Sequence, residues 1–312
     1  NSIFTLPPSL TLSTVVDFGD LLINSSTLTD ISLTGGTSRI MTLSGGAGST
    51  AAISSGGAAG DLLLLGTNVT GSVNVGGGSG AGKLNTALGA DGNFNVVNST
   101  AVLNLSGILS GAFNLTKTGA GTLTLSGVNT FGAAKTFTLS AGTLNVNSSA
   151  ALGSTTTTFQ INGGTTINNT SGAAIATAAK PVTINGNFIF AGGGSGTSND
   201  LTLGTTASSA STLGTAAGTS RTITVTAANS TLGILGAIAN GTTANQIIKE
   251  GAGSLTLGGA NTFTGGVTLN AGKLNINSAG AAGVSGPLGN GGALTINGGV
   301  IDNTSGSAKV VL

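Results

Sequence analysis

Few residues in this sequence could do chemistry, because it contains neither histidine nor cysteine. A Ser-His-Asp triad needs a base that is usually His, so the ordinary hydrolase arrangement is excluded, and thiol chemistry with it. Eight acids remain: Asp17, Asp20, Asp30, Asp61, Asp91, Asp200, Glu250 and Asp302. Two carboxylates flanking a sugar bond would serve glycoside cleavage. Asp17 and Asp20 are near neighbours, while Asp30 and Asp200 lie in loop-like sequence. Turns favour Asp because it bonds the local backbone, so solvated turn carboxylates are expected rather than a catalytic pair. Trp and Tyr, the usual platforms for a sugar ring, are absent.

The run GGSGAGKL (77–84) superficially matches a phosphate loop, but Leu84 stands where the magnesium-binding hydroxyl belongs and no helical pattern follows. With 56 glycines in 312 residues, such a match is expected by chance. Calcium-binding nonapeptides would repeat G-G-x-G-x-D, which does not occur, and scattered acids do not suit a metal-stabilised fold. Neither a cofactor nor a metal is expected, and the chain is not read as an enzyme. Four cations recur in matched sequence: Lys117 with Lys249, and Arg39 with Arg221. Recurrence points to a structural place at a corner of the chain's path. A net charge of +1 without a basic cluster offers nucleic acid no electrostatic hold.

The elements that position these residues are legible because one stretch is written twice. KTGAGTLTLSGVNTF (117–131) is answered by KEGAGSLTLGGANTF (249–263), so that Asn129 and Phe131 match Asn261 and Phe263. AGTLNVNS (141–148) is answered by AGKLNINS (271–278), QINGG (160–164) by TINGG (295–299), and NNTSG (168–172) by DNTSG (302–306). The offset drifts only between 130 and 136 residues, as in repeats with small loop insertions. Each block alternates: Leu123 and Leu125 point one way, while Thr122, Thr124 and Ser126 point the other. Period-2 runs bounded by Gly, Asn and Ser are half-buried strands. Short strands joined by glycine corners under a long repeat predict an all-β chain, a single parallel β-solenoid whose coils cover one another's apolar faces. Coils of about 20–25 residues are expected, rising about 4.8 Å each. Asn145, Asn147, Asn275 and Asn277 could stack as hydrogen-bonded ladders at the corners.

The motif KTGAGTLTLSGVNTF…AGTLNVN resembles the autotransporter-associated β-strand repeat, also called the passenger-associated transport repeat. The resemblance is strong over 117–147 and 249–277 and weaker through to 306. It implies a right-handed parallel β-helix in a secreted bacterial protein at the cell surface or outside the cell, and it implies no catalytic residues. The outer-membrane barrel of an autotransporter, with its aromatic girdles, has no counterpart in the sequence.

Composition agrees with a solenoid. Charged residues are 5% of the chain against the usual ~25%, yet mean hydropathy is +0.41, so charge-driven disorder does not fit. No run approaches the ~18–20 apolar residues of a membrane helix. The start at Asn1 is read as the mark of a removed signal peptide. GTSRIMTL (36–43) matches GTSRTITV (218–225), which divides the chain into two units, 1–175 and 176–312. The first carries a glycine-rich insert at about 45–112, read as extra coils with flexible loops and with strands at 93–107.

The carboxyl terminus stops in phase with the amino terminus. Unpaired solenoid ends are templates for another strand, and a head-to-tail contact that does not close gives a filament. The first expectation is therefore a secreted structural homopolymer whose only firm partner is itself, with Ile3, Phe4, Leu6, Leu10 and Leu12 meeting Lys309, Val310, Val311 and Leu312. The alternative is an autotransporter-type passenger acting as an adhesin or display stalk, with the insert touching cell-surface or matrix components. A carbohydrate-active β-helix enzyme ranks third on the acid and aromatic census.

Overall fold

A computed structural model of the chain describes residues 9–12, 16–18, 21–23, 30–33, 39–43, 60–78, 84–193, 199–204, 210–214, 220–278, 280–281 and 283–308. Among them every regular element is a strand, and every ladder between named strands is parallel. Two compact units divide the chain, Asn1–Thr157 and Thr158–Leu312. Each is a parallel β-solenoid.

The first unit has three stacks of strands. One runs Ser9–Leu12, Asp30–Leu33, Ser72–Gly78, Val102–Leu105, Thr122–Leu125 and Thr143–Val146. A second runs Val16–Phe18, Arg39–Leu43, Leu84–Leu88 and Leu109–Ser110. The third holds Leu21–Ile23, Asp61–Leu65, Gly92–Val96, Leu115–Thr118 and Thr136–Leu139. The second unit also has three, led by Thr158–Ile161, Thr165–Asn168 and Ile175–Ala176. Parallel neighbours cannot be joined by a tight hairpin. Here the crossover is simply the rest of one coil, which visits the other faces before returning.

Alternation in the sequence sets the register. Val73, Leu103, Leu123 and Leu144 stand over one another, as do Val75, Leu105, Leu125 and Val146. All eight are buried. In the second unit Leu232, Leu255 and Leu274 form the matching column. Burying each such side chain is worth about 1.5–3 kcal/mol, and a one-residue slip would turn a whole column to solvent. That penalty is why Leu and Val columns can hold register without disulfides.

Coil length varies more than the expected 20–25 residues. Val102 pairs with Thr122 and Thr122 with Thr143, steps of 20 and 21, but Asp30 pairs with Asn74, a step of 44. Of that longer step, residues 34–38 and 44–59 lie outside the described residues. Within the insert, Asp61–Leu65, Ser72–Gly78, Leu84–Leu88, Gly92–Val96 and Val102–Leu105 are strands. Of the two stretches read as flexible loops, 45–60 and 75–83, residues 45–59 and 79–83 lie outside the described residues, whereas Val75–Gly78 belongs to the strand Ser72–Gly78 and so is not loop. Leu84, the last residue of the phosphate-loop look-alike, opens a strand rather than a helix.

Candidate functional site

The chemistry-bearing residues of the repeat converge on main-chain atoms, not on a cavity. Lys117 occupies an inward position of its strand, in one column with Phe94 and Leu139, and is fully buried. An apolar residue would be expected there. Its stem fills the apolar column while Nζ reaches the corner, donating to the carbonyls of Thr118 (2.7 Å), Gly119 (2.9 Å) and Ala141 (3.2 Å). Ala141 belongs to the next coil, so the ammonium clasps two successive corners. Lys249 repeats the arrangement on Glu250 (2.7 Å), Gly251 (2.8 Å) and Ala271 (3.2 Å), in a column with Ile223 and Leu269. Three N–H donors meet three acceptors.

Glycine makes this corner possible. Gly119 and Gly251 take φ of 74° and 78°, and Gly142 and Gly272 of the following coil take 70° and 72°. A Cβ on Gly142 would lie 2.4 Å from the Gly121 carbonyl oxygen and 2.5 Å from that of Gly119. The corners can therefore stack only as glycine on glycine.

Twelve residues after each lysine an asparagine forms a second clasp. Asn129 Oδ1 accepts from the Leu109 amide (2.9 Å) and its Nδ2 donates to the Ala151 carbonyl (2.8 Å). Asn261 joins the Ile238 amide (2.9 Å) to the Pro287 carbonyl (2.8 Å). Both are buried, and each side-chain amide takes the place of a peptide group between the coil before it and the coil after it. Next to it, Phe131 packs edge-on against Phe137, with ring centroids 5.3 Å apart.

Burial sets the electrostatics. It pushes Lys117 down to about 7 and Lys180 down to about 8. Lys249 is pushed to about 8 by burial, which outweighs the opposing charge of Glu250. Arg221 is also lowered by burial. Its Nε donates to the Ile184 and Leu213 carbonyls and its Nη1 to that of Ser220. Here too a cation serves the backbone, but from within a strand rather than at a corner. The Arg39 side chain lies outside the described residues.

Among the described side chains the acids are dispersed, and one of them corrects the expectation of solvated turns; those of Asp17, Asp20 and Asp30 lie outside the described residues. Asp61 is a buried strand residue that accepts from Asn93 (3.2 Å) and Asn95 (2.9 Å). The four-leucine run after it hid it, because DLLLL reads as wholly apolar. Asp30, read as loop, opens the strand Asp30–Leu33. Asp91 is exposed, and its bonds from the Asn114 amide and side chain hold it below the usual carboxylate range. Asp302 meets Lys273 at 3.3 Å on the surface. Among the described residues no three acids gather to hold a metal. Asn145 and Asn275 stand in strands, not at corners, and each donates to a threonine of the preceding coil, Thr124 (3.0 Å) and Thr256 (3.1 Å). Asparagine-on-asparagine bonds join Asn104 to Asn74 and Asn297 to Asn270, each at 2.8 Å.

Of the residues expected to form an assembly interface, Leu10 and Leu12 fall in the strand Ser9–Leu12, opposite Ile31 and Leu33. Their side chains lie outside the described residues, as do Ile3, Phe4, Leu6, Lys309, Val310, Val311 and Leu312.

Comparison with known proteins singles out the same two segments. The family model described as the passenger-associated-transport-repeat matches residues 115–146 and 247–276. Each match begins two residues before the clasping lysine and includes the clasping asparagine. Searches of the curated proteins and of the solved structures found no match. The resemblance read from the sequence is thereby shown, and it carries with it a secreted or cell-surface setting.

Proposed function

We propose that this chain is passenger sequence of an autotransporter-type bacterial protein, a β-solenoid stalk that holds an adhesive segment away from the cell surface. One observation carries the reading. Both copies of the repeat spend their lysine, asparagine and corner glycines on tying one coil to the next, with corresponding distances equal to within 0.1 Å. A motif used that way builds length and stiffness. The adhesive role then falls to the non-repeated insert at 45–112.

The stalk reading takes precedence over head-to-tail polymerisation, because the matched repeat is a passenger repeat. The polymer would rest on terminal residues whose side chains lie outside the described ones. The test fuses the chain between an export signal and an outer-membrane barrel and follows protease accessibility on whole cells together with cell or matrix adhesion. Display with adhesion, and loss of adhesion alone on deleting residues 45–59, supports the stalk-and-tip reading. Undiminished adhesion after the deletion removes the tip from it. Failure of the chain to reach the surface while control passengers do overturns the stalk as well.

A further inference from the structure

Five asparagines in the chain precede glycine: Asn162, Asn185, Asn240, Asn290 and Asn297. Such a step can modify itself. The glycine amide nitrogen attacks the asparagine Cγ, a C–N bond forms, and the side-chain nitrogen leaves as ammonia. Water then opens the cyclic imide to aspartate or isoaspartate, and no other reactant is consumed. Glycine favours the reaction because no Cβ shields its nitrogen. Folded structure opposes it wherever the side chain is held or the peptide cannot swing into an attack geometry.

Four of the five steps are held. Asn162 Oδ1 accepts from Gln160 (3.3 Å) and Asn185 (3.2 Å). Gly186, which follows Asn185, is packed so closely that an added Cβ would lie 2.6 Å from Gly163. Asn240 is fixed from both ends: Oδ1 accepts from the amides of Asn245 and Thr264, and Nδ2 donates to Thr264 Oγ1. The Gly241 amide is occupied by Asn245 Oδ1. Asn297 donates to Asn270 (2.8 Å), and the Gly298 amide donates to the Leu269 carbonyl.

Asn290 differs on each count. Its main-chain N–H is anchored to the Phe263 carbonyl at 2.8 Å, but its side chain makes no hydrogen bond among the described residues. Gly291 stands at φ 80°, its amide donates to no carbonyl among the described residues, and a Cβ built on it would meet nothing within 4 Å. The following peptide has room to turn toward Cγ. We propose that Asn290 is a site of spontaneous covalent modification, deamidating through Gly291 in the folded chain while the other four Asn–Gly steps are protected. The product adds a negative charge to a chain of net charge +1. Its isoaspartyl form lengthens the main chain three residues beyond Pro287, whose carbonyl receives the Asn261 clasp.

The experiment incubates the full chain in mildly alkaline buffer at physiological temperature and follows all five steps by peptide mass mapping, with a parallel sample in urea. In the folded chain Asn290 should convert at least about tenfold faster than any other Asn–Gly step, since each of those must first break hydrogen bonds or repack. In urea the five rates should converge. The variant N290Q should fold and show no conversion at that position. Another step leading in the folded chain would overturn the proposal. So would an Asn290 rate that folding suppresses as strongly as the rest.

Discussion

Replacing Lys117 by methionine tests the clasp at its centre, because the apolar stem is kept and only the ammonium is lost. Two effects oppose each other. Burial lowers the lysine from 10.5 to about 7, a cost of up to about 5 kcal/mol for keeping the proton in the folded state. The three carbonyls at 2.7, 2.9 and 3.2 Å pull the other way, so about 5 kcal/mol is an upper bound. The sign is set by proton counting. Below pH ~7 both folded and unfolded chains hold the proton, and the penalty is fully present. Between pH ~7 and ~10.5 the unfolded chain holds more protons than the folded one, so stability rises with pH. A neutral amine still donates two of its three bonds, whereas methionine donates none. Wild type should therefore gain on K117M by a few kcal/mol between about pH 7 and about pH 10. Urea unfolding of both chains at several pH values measures the gap. A gap that stays constant or narrows with rising pH would show that the carbonyls hold the proton as firmly as burial expels it, and the reasoning would fail.

Other substitutions probe the rest of the design. Asn129→Ala should cost about 2–4 kcal/mol, since it leaves the Leu109 amide and Ala151 carbonyl buried without their partner; faster hydrogen exchange at Leu109 would localise the loss. Gly142→Ala combines a positive φ with Cβ contacts of 2.4 and 2.5 Å, whereas Gly164 has φ 76° and open space. Thermal unfolding should separate the two, with G142A costing about 2–5 kcal/mol and G164A about 1–2. Lys273→Ala should change stability by less than about 0.5 kcal/mol, because the Asp302 pair is exposed on both sides and surface pairs are worth little.

The strands were legible because alternation and stacking obey the same period. Leu123 and Leu125 are inward in the sequence pattern and inward in the structure, since the only cost-free register places them on Leu103 and Leu105. What the pattern could not disclose was a polar residue in an apolar column. Lys117 breaks the alternation no more visibly than an exposed lysine would, as its stem packs like an aliphatic side chain and its charge is carried across four methylenes to a corner. Asn129 lay beyond the alternating run, where an asparagine reads as a turn. The repetition of both residues at a spacing of 12 was the available signal, and it pointed to structure without saying which carbonyls were served. Asp61 was hidden for a different reason. Its partners Asn93 and Asn95 lie 32 and 34 residues away, a distance only the register of the ladder connects.

The two clasps also limit where recognition can reside. In a solenoid each coil exposes backbone corners that neighbouring coils must satisfy. Side chains that do so are unavailable to a ligand, and in both repeats lysine and asparagine are wholly occupied. The copies differ where nothing is clasped: Thr143 against Lys273, Val128 against Ala260. Val128 is also among the exposed apolar residues of the first unit, with Ile40 and Ile108. Exchanging the outward residues of one copy for those of the other should therefore leave stability nearly unchanged, as surface substitutions usually do. Exchanging either clasp for alanine should not. If outward exchanges proved as costly as clasp removal, the separation between a stapled interior and a free exterior would be wrong, and with it the assignment of adhesion to the non-repeated segment.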